Sequence, residues 1–444
     1  MHVAPRAGSS SSTEVKPYVV PNSQEFDGND GEWSTFKINV GGQDMRVLAS
    51  TKSGETYVIV PDGCQAIDPA DCPEQRGAGI LNSAQSRGFQ SGISKSWSDI
   101  GMYEVNLEKN LNYTGNGIYG HDTVSLGPAS AGENSLSIEK QVVVGVASLD
   151  YFMGHIPLGT PDSSFCTSCT TEKSLLYQLR HNNKIPSLSF AYAAGAKYQT
   201  KSPHGQLILG GYDTSRFKPN ANDLSFTFST DPSRLLTVGV QSILASNTLK
   251  GSYSFSSSAH FSLVDSTVPH LWLPRDICDA FEAAFGLIYD PQKDLYRINA
   301  TNHATLQSQN PEITLKLGNE LQGDSTNIKL PYSAFIQKAS YPYYNQSTDY
   351  FPIRRAANDS QFTLGRTFLQ EAYMIVDYER GNFSLSQAIF PERPSANLIT
   401  ITSPSAPTPS KPGLTAGAIA GIVTGISLSI ILIAGLTFFF LRRR

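Results

Sequence analysis

Two related stretches far apart in the chain constrain its fold more than any other feature. The second, residues 264–274, is an apolar segment that carries Asp265 near its start. In the first, residues 49–58, Ser50 stands where the later copy has Asp265, and in both copies an aromatic residue follows the key position by seven residues. The repeat predicts two halves that are built alike and related by a pseudo-twofold axis, with the equivalent loops meeting at a central cleft.

Short strands separated by turns dominate the chain from about residue 31 onward. Across Trp33–Val40 apolar and polar residues alternate, and two glycines then break the run, which is typical of a β-hairpin. Leucines three to four positions apart predict a helix over 174–181, and a proline and a glycine bracket a second helix over Arg275–Phe285. Further strands are predicted over residues 45–49, 120–126, 141–147, 187–192, 205–211, 224–228, 313–317, 328–330, 362–364 and 373–376. We therefore predict a mostly β protein.

Four segments in chain order carry a resemblance to a known family. They are GQLILGGYD at 205–213, VDS at 264–266, TLGRTFL at 363–369 and YMIVDY at 373–378. This set resembles the pepsin-like aspartic proteases, peptidase A1, in the membrane-anchored form seen in fungi. The resemblance covers residues 31–387. It implies a mostly β, bilobal pepsin-like acid protease fold with pseudo-twofold lobes at 31–220 and 221–389, and no cofactor.

In that family each lobe supplies one aspartate, and the two carboxyl groups share a proton and hold a water between them. One carboxylate takes a proton from the water as it attacks the peptide carbonyl, while the protonated partner donates to the developing oxyanion. Two like charges so close cannot both ionise, which separates their pKa values. The resemblance gives Asp265 this role in the second lobe and places Ser50 at the matching position of the first.

The first lobe departs from the family pattern where the chemistry is most demanding. The hydroxyl of Ser50 is not ionised at working pH and cannot share a proton with Asp265. Lys52 and Thr267 replace the glycines of the two family turns, and residues 107–117 lack the family's arrangement at the tip of the first-lobe flap. Losing one positioned acid or base typically costs about 10²- to 10⁴-fold in rate.

These departures predict a non-catalytic pseudo-protease that binds a peptide or cell-wall ligand. Its cleft would be lined by Ser50, Thr51, Ser266 and Thr267 beside Asp265. The alternative hypothesis is an active aspartic-type endopeptidase with weak or altered chemistry. One such route uses Lys52 as the base for Ser50 in a Ser/Lys pair, although we expect the lysine amine to reach solvent. We expect the nearby His270 to be structural, because it has no identifiable partner.

The C-terminal end of the chain has the composition of a membrane anchor. Residues 414–441 contain 28 residues without a charge and precede three arginines at 442–444. About 20 apolar residues suffice to cross a bilayer, and terminal arginines favour the cytosol. We predict a single transmembrane helix, a cytosolic tail, and a Ser/Thr/Pro-rich stalk over 390–413. A cleaved lipid-anchor signal is the alternative, but such tails normally end on the apolar run.

The predicted ectodomain lies outside the cytosol, at the cell surface or on a secretory-pathway membrane. Five glycosylation sequons agree with this location, at Asn112, Asn299, Asn345, Asn358 and Asn382. Cysteine spacing predicts two local disulfides, Cys64 with Cys72 and Cys166 with Cys169, and leaves Cys278 as a free, buried thiol.

Other features of the sequence bear on the ends of the chain and on its partners. Residues 1–30 contain no apolar stretch typical of a secretory signal, so we expect the true start to lie upstream of Met1. A net charge of -4 without a long basic stretch argues against nucleic acid as a partner, and we expect no metal site. Gly417, Gly421 and Gly425 form a small-residue face in the predicted span that would allow self-association, with chance spacing as the alternative.

Overall fold

A computed structural model describes residues 15–163, 171–220, 223–256, 258–391, 395–404 and 442. Residues up to Ser403 belong to one compact unit, which contains all of the sheets. The helices of the described residues are all too short or too polar to span a membrane. The predicted span at 414–441 lies outside the described residues.

The first lobe is built on a sheet that has eight strands in the described part of the chain. In spatial order they are Asn22–Asp27, Trp33–Val40, Gln43–Ser50, Gly154–Pro157, Thr56–Ile59, Leu136–Val146, Asn116–Leu126 and Ser98–Glu104. Trp33–Val40 and Gln43–Ser50 form the predicted hairpin. Gly154–Pro157 runs parallel to the second of these strands, so that Pro157 lies beside Ser50 at its end.

The second lobe has its own sheet, also with eight strands among the described residues. In spatial order they are Thr326–Pro331, Glu312–Gly318, Thr237–Thr248, His260–Val264, Thr363–Leu364, Leu271–Leu273 and Ile353–Arg355, with Gly251–Ser254 beside Thr237–Thr248. His260–Val264 runs parallel to Thr363–Leu364. His260–Val264 ends one residue before Asp265, and Gln43–Ser50 ends at Ser50. The two key positions thus lie at the ends of these strands.

The strands around the site repeat one arrangement in both lobes. In the first lobe Thr56–Ile59 pairs antiparallel with Gly154–Pro157 and parallel with a third strand. In the second lobe Leu271–Leu273 pairs antiparallel with Thr363–Leu364 and again parallel with a third strand. The two halves predicted from the sequence repeat are thus confirmed, and the key position of each copy lies at the end of an equivalent strand.

A third sheet joins the lobes through backbone hydrogen bonds. Its described strands are, in order, Tyr18–Val19, His204–Leu209, Ser189–Gly195, Ala372–Asp377, Asn382–Ala388 and Phe217–Lys218, with Phe226–Thr227 also paired to Asn382–Ala388. The central pairing, between Ser189–Gly195 and Ala372–Asp377, crosses from one lobe to the other. Because this sheet is shared, the lobes cannot separate without breaking it.

The folded unit extends beyond the boundaries predicted from the sequence at both ends. In the segment assigned to 1–30, Tyr18–Val19 belongs to the shared sheet and Asn22–Asp27 to the first-lobe sheet. In the stalk assigned to 390–413, Leu398–Thr400 pairs with a strand of the first lobe. Sequence composition gave no sign of these strands, since an edge strand needs only its backbone groups to pair.

The helices only in part follow the predicted pattern. The described α-helices are Cys72–Gln75, Leu175–His181, Arg275–Phe285, Ala300–Gln309 and Arg366–Leu369. Arg275–Phe285 has the predicted bounds, and Gly286 ends it with a positive φ of 62°. Ala300–Gln309 was not predicted, because it buries only Leu306 and so lacks an apolar face.

The remaining strands are short and lie at the periphery. They are Ile80–Leu81 with Ala84–Gln85, Asp162–Ser163 with Glu172–Lys173, Gly211–Asp213 with Leu398–Thr400, and a sheet of Ile288–Asp290, Leu295–Arg297, Thr348–Phe351 and Gln337–Ala339. Cys64 and Cys72 form the predicted disulfide, and Cys278 is a free, buried thiol. Cys166 and Cys169 lie outside the described residues. None of the five sequon asparagines is buried.

Candidate functional site

Two loops meet between the lobes, one following Gln43–Ser50 and the other following His260–Val264. They hold each other by reciprocal hydrogen bonds: the Thr51 backbone N–H donates to Ser266 Oγ (3.0 Å), and the Ser266 backbone N–H donates to Thr51 Oγ1 (2.9 Å). The Ser266 hydroxyl in turn donates to the backbone carbonyl of Ala49 (2.7 Å). The sequence repeat therefore brings its two key positions to one place.

Ser50 lies at the first-lobe position of this pair of loops and is fully buried, with 0% of its surface exposed. Its hydroxyl is hydrogen-bonded to Thr267 Oγ1 (2.6 Å) and accepts from the backbone N–H of Ser53 (2.9 Å). The first-lobe position thus carries a hydroxyl instead of a carboxylate, and the hydrogen bond of this hydroxyl with Thr267 joins the two loops. This arrangement stabilises the closed pair of loops but supplies no second acid at this position.

Asp265 lies opposite and is also 0% exposed. Its Oδ1 accepts hydrogen bonds from the Thr267 backbone N–H (2.8 Å) and from Thr51 Oγ1 (3.4 Å). Its Oδ2 is buried and has no such donor among the described residues. A buried carboxylate oxygen without a donor is costly, so Oδ2 is an unsatisfied polar atom at the centre of the site.

A second carboxyl group reaches the site from a loop over residues 107–113, which we call the cleft loop. It brings Glu108 to the site, where the carboxyl group is 1% exposed and forms an ion pair with Lys52 Nζ (2.8 Å). The carboxyl of Glu108 lies close enough to that of Asp265 for the charge of Asp265 to raise the pKa of Glu108, after the larger effect of burial. The site therefore holds two interacting carboxyl groups, a pair that the sequence did not predict.

The Lys52 side chain remains 22% exposed, but its amine is held by the cleft loop and is not free in solvent. Its amine is hydrogen-bonded to Glu108 (2.8 Å) and to Asn110 Oδ1 (3.4 Å), because the cleft loop folds over it. Burial alone would lower the pKa of Lys52, but the negative charges of Glu108 and Asp265 outweigh that effect and raise it. Lys52 is therefore a charged ion-pair partner, and its amine is not a base for Ser50.

The carboxyl pair makes stability depend on pH. Burial and then the charge of Asp265 raise the pKa of Glu108 to about 8, while Lys52 opposes the rise. A group whose pKa is raised on folding contributes full stability below its ordinary value and loses that contribution as pH rises through the new value. We expect the melting temperature to fall between pH 4.5 and about 8, and the Glu108→Gln variant to lack this part of the fall.

The matched control for this prediction is Glu104→Gln. Glu104 is exposed and pairs with Lys109 (2.8 Å), so its loss should leave the pH profile unchanged. Burial also raises the pKa of Glu55, to about 7, which adds a fall of the same sign that both variants retain. If wild type and Glu108→Gln give parallel melting profiles, folding does not raise the pKa of Glu108.

A cavity of about 320 Å³ opens beside the carboxyl pair. Its wall combines Lys52, Glu55 and Asp162 with the aromatic residues Tyr57, Tyr119 and Tyr378, and with Leu235, Leu236 and Leu263. Of the four residues predicted to line the cleft, only Thr51 borders this cavity. Ser50 and Ser266 are wholly buried, and Thr267 is 5% exposed and faces a smaller space. The cleft loop covers them.

His270, adjacent in sequence to the site, is a core residue. It is fully buried near the ring of Tyr350, and burial holds its pKa well below the ordinary value, so the imidazole is neutral. Its neutral state and its packing agree with a structural role. Across the described ranges, no group of three or more His, Cys, Asp and Glu side chains is arranged to hold a metal ion.

Sequence reasoning missed two charged residues of the site, Glu108 and Arg234. Both reach it only through tertiary structure: Glu108 comes from a loop in the first lobe, and Arg234 follows a short turn in the second. One feature of the sequence indicated that this part of the site differs: residues 107–117 do not match the flap pattern of the family that the chain resembles. Glu108 lies within that stretch.

Comparison with known proteins agrees with this fold. The family described as eukaryotic aspartyl protease matches residues 36–388. The chain is 23% identical over 376 residues to candidapepsin of Candida tropicalis, covering 81% of this chain and 80% of that protein. It is 24% identical over 365 residues to secreted aspartic protease 8 of Candida albicans, covering 81% and 76%.

A solved structure shows the same architecture. The crystal structure of the aspartic proteinase from Irpex lacteus superposes with a TM-score of 0.54 at 17% identity, covering 84% of this chain and 97% of that one. At this identity the match establishes the fold, namely the mostly β, bilobal pepsin-like architecture. The family match spans most of the chain, and both sequence relatives are aspartic proteases. The chain therefore belongs to the eukaryotic aspartyl protease family, peptidase A1.

Proposed function

We propose that this chain is a non-catalytic member of its family, which binds an extended peptide or cell-wall component in the cleft between its lobes. The observation that carries the proposal is the hydroxyl of Ser50, hydrogen-bonded to Thr267 at 2.6 Å where the reaction needs a carboxyl group. A hydroxyl cannot share a proton with Asp265 in the way that two carboxyl groups do. The cavity of about 320 Å³ beside the site is within the usual range for bound ligands.

The proposed location is the outer face of a cell-surface or secretory-pathway membrane, with a single C-terminal span. The support is the uncharged run at 414–441 with its three terminal arginines. The Cys64–Cys72 disulfide fits an oxidising compartment. The named relative from Candida albicans is a secreted protein, and we extend only the exterior location to this chain.

A second candidate, an active acid endopeptidase with altered chemistry, is favoured by one observation. Glu108, from a different part of the chain, places a second carboxyl group close to Asp265, and burial and then the charge of Asp265 raise the pKa of Glu108. Against it, Glu108 is 1% exposed and Asp265 is 0% exposed, so the closed site admits neither water nor a peptide bond between them. A Ser/Lys mechanism is not supported, since the amine of Lys52 is bonded to Glu108.

Proteolysis assays with the full-length protein distinguish the two candidates. We expect no cleavage of an unfolded protein substrate from acid to neutral pH, in the wild type or in the Asp265→Asn variant. Cleavage that disappears in Asp265→Asn would establish an enzyme and overturn the non-catalytic proposal. If the same activity also disappeared in Glu108→Gln but persisted in Glu104→Gln, Glu108 would be the second carboxyl group of that enzyme.

A further inference from the structure

The cleft loop closes the site by docking on the second lobe. Leu111 is buried against Val268 and Trp272. The side-chain amide of Asn110 donates to the backbone carbonyl of Ser360 (3.2 Å). In the closed position the loop therefore occupies the space above Asp265 that a ligand crossing between the lobes would need.

Four charged groups meet beneath this loop. Lys52 and Glu108 form the ion pair, Asp265 lies close enough for its charge to act on Glu108, and Arg234 is close enough for its charge to act on all three. The Arg234 guanidinium donates to the backbone carbonyls of Ser360 and, at 2.9 Å, Phe362. With the loop closed, two positive groups face two carboxyl groups. If the cleft loop moved away, Glu108 would leave the site, and the positive charges of Lys52 and Arg234 would then exceed the negative charge of Asp265.

Two features of the closed cleft loop raise its free energy. Glu108 and Asn112, at the two ends of the short turn Lys109–Leu111, both have left-handed backbone conformations, with φ of 61° and 65°. The left-handed conformation is unfavourable for Glu108, whereas asparagine tolerates it. In addition, the cleft loop holds the carboxyl group of Glu108 close to that of Asp265. A free carboxylate would be able to pair with Lys52 without being pressed against a second acid.

From these observations we propose that Lys52 is the anion-binding residue of the cleft and that Glu108 occupies its site internally when the cleft loop is closed. The external ligand is a peptide with a carboxylate that replaces Glu108 on Lys52. This inference rests on the proposed binding function and names its ligand class. It also explains why a lysine is tolerated in a turn at the centre of the cleft.

The cavity beside Lys52 fits the rest of such a ligand. Tyr57, Tyr119 and Tyr378 give it aromatic walls for a side chain adjacent to the carboxylate. Two other acids border the cavity, but neither opposes the binding of an anion strongly. Asp162 is paired with Lys173, and burial raises the pKa of Glu55 to about 7, so that it is protonated in acid surroundings.

Two matched peptide libraries test the proposal with the full-length protein in detergent. Both are fluorescent octapeptides with blocked ends and random flanks, one with a fixed central Glu and the other with a fixed central Gln. We expect the wild type to bind the Glu library about tenfold or more tighter by fluorescence anisotropy, the effect of one charge-assisted hydrogen bond. A third library, with central Gln and a free C-terminus, tests whether the carboxylate belongs to a chain end.

Variants of Lys52 and Glu108 test directly whether Lys52 binds the carboxylate of the peptide. Glu108→Gln weakens the internal competitor, so it should bind the Glu library more tightly than the wild type does. Lys52→Met should bind the Glu and Gln libraries equally, whereas Lys52→Arg, which keeps the positive charge, should retain the preference. Lys329→Met is the control, because it removes only the exposed pair with Glu312, outside the cleft loop and the cavity wall, and should match the wild type. Circular dichroism checks that each variant is folded.

The possible outcomes separate this inference from the function on which it rests. Tight binding of the Glu library or of the free C-terminus library, lost in Lys52→Met, supports the proposal and identifies the kind of carboxylate. Equal binding of all three libraries by the wild type overturns the ligand class but leaves peptide binding intact. No binding of any library by either the wild type or Glu108→Gln overturns peptide binding itself, and the inference with it.

Discussion

Replacing Ser50 with Asp and Lys52 with Gly is expected to give this protein acid proteolytic activity. The double change restores a carboxyl group opposite Asp265, and it removes the cation that holds Glu108 over the site. A positioned acid or base is worth about 10²- to 10⁴-fold in rate, so cleavage of an unfolded protein substrate should rise by at least about 10²-fold over wild type. The assay measures peptide release in acid and at neutral pH.

Two control variants assign the effect to the restored pair. Lys52→Gly alone opens the site without supplying an acid and should stay inactive. Asp265→Asn in the restored background removes the partner carboxyl and should abolish the new activity. An inactive double variant with an unchanged circular dichroism spectrum would contradict the prediction. It would mean that Thr267 or the cleft loop blocks catalysis independently of Ser50.

Replacing Arg366 with Met is expected to produce the largest loss of stability. Arg366 is 2% exposed, and it donates to the backbone carbonyls of Ser266 (3.0 Å) and Thr267 (2.7 Å). It also forms an ion pair with Asp30 at 3.2 Å. Removing one partner of a buried ion pair leaves an uncompensated charge and typically costs about 3–5 kcal/mol. Urea unfolding should show a decrease of this size in the free energy of unfolding.

The contribution of the unpaired charge can be isolated by a second change. Asp30→Asn combined with Arg366→Met leaves no buried carboxylate without a cation and should recover part of the lost free energy. Arg275→Met is the surface control, since the Arg275 side chain is 70% exposed and lies 3.8 Å from Asp279. It should change stability by less than about 1 kcal/mol. If Arg366→Met proved as mild as this control, Arg366 would not hold the second-lobe loop in place.

The fold was largely predictable from the sequence, because its signals are local. Alternating residues and glycine breaks predicted the hairpin at Trp33–Val40, and a proline and a glycine fixed the bounds of Arg275–Phe285. The repeat at Ser50 and Asp265 predicted two similar lobes. The edge strand Leu398–Thr400 was missed because its pairing depends on a neighbouring backbone rather than on its own side chains.

The candidate site was predictable only in part, and the reason is again physical. The repeat located Ser50 and Asp265, and the resemblance explained why their difference matters. It did not predict Glu108, whose position depends on how the cleft loop packs against Val268 and Trp272 in the other lobe. Ser50 is completely buried and hydrogen-bonded to Thr267, so a residue expected at the surface of the cleft lies beneath it.

The reciprocal hydrogen bonds between Thr51 and Ser266 have a consequence for how such a protein evolves. These bonds use a hydroxyl and a backbone N–H from each loop, and none of them requires a second carboxyl group at Ser50. The junction between the lobes therefore does not depend on a carboxyl group at position 50. Selection on folding acts on the junction and selection on chemistry acts on position 50, so the two can change independently.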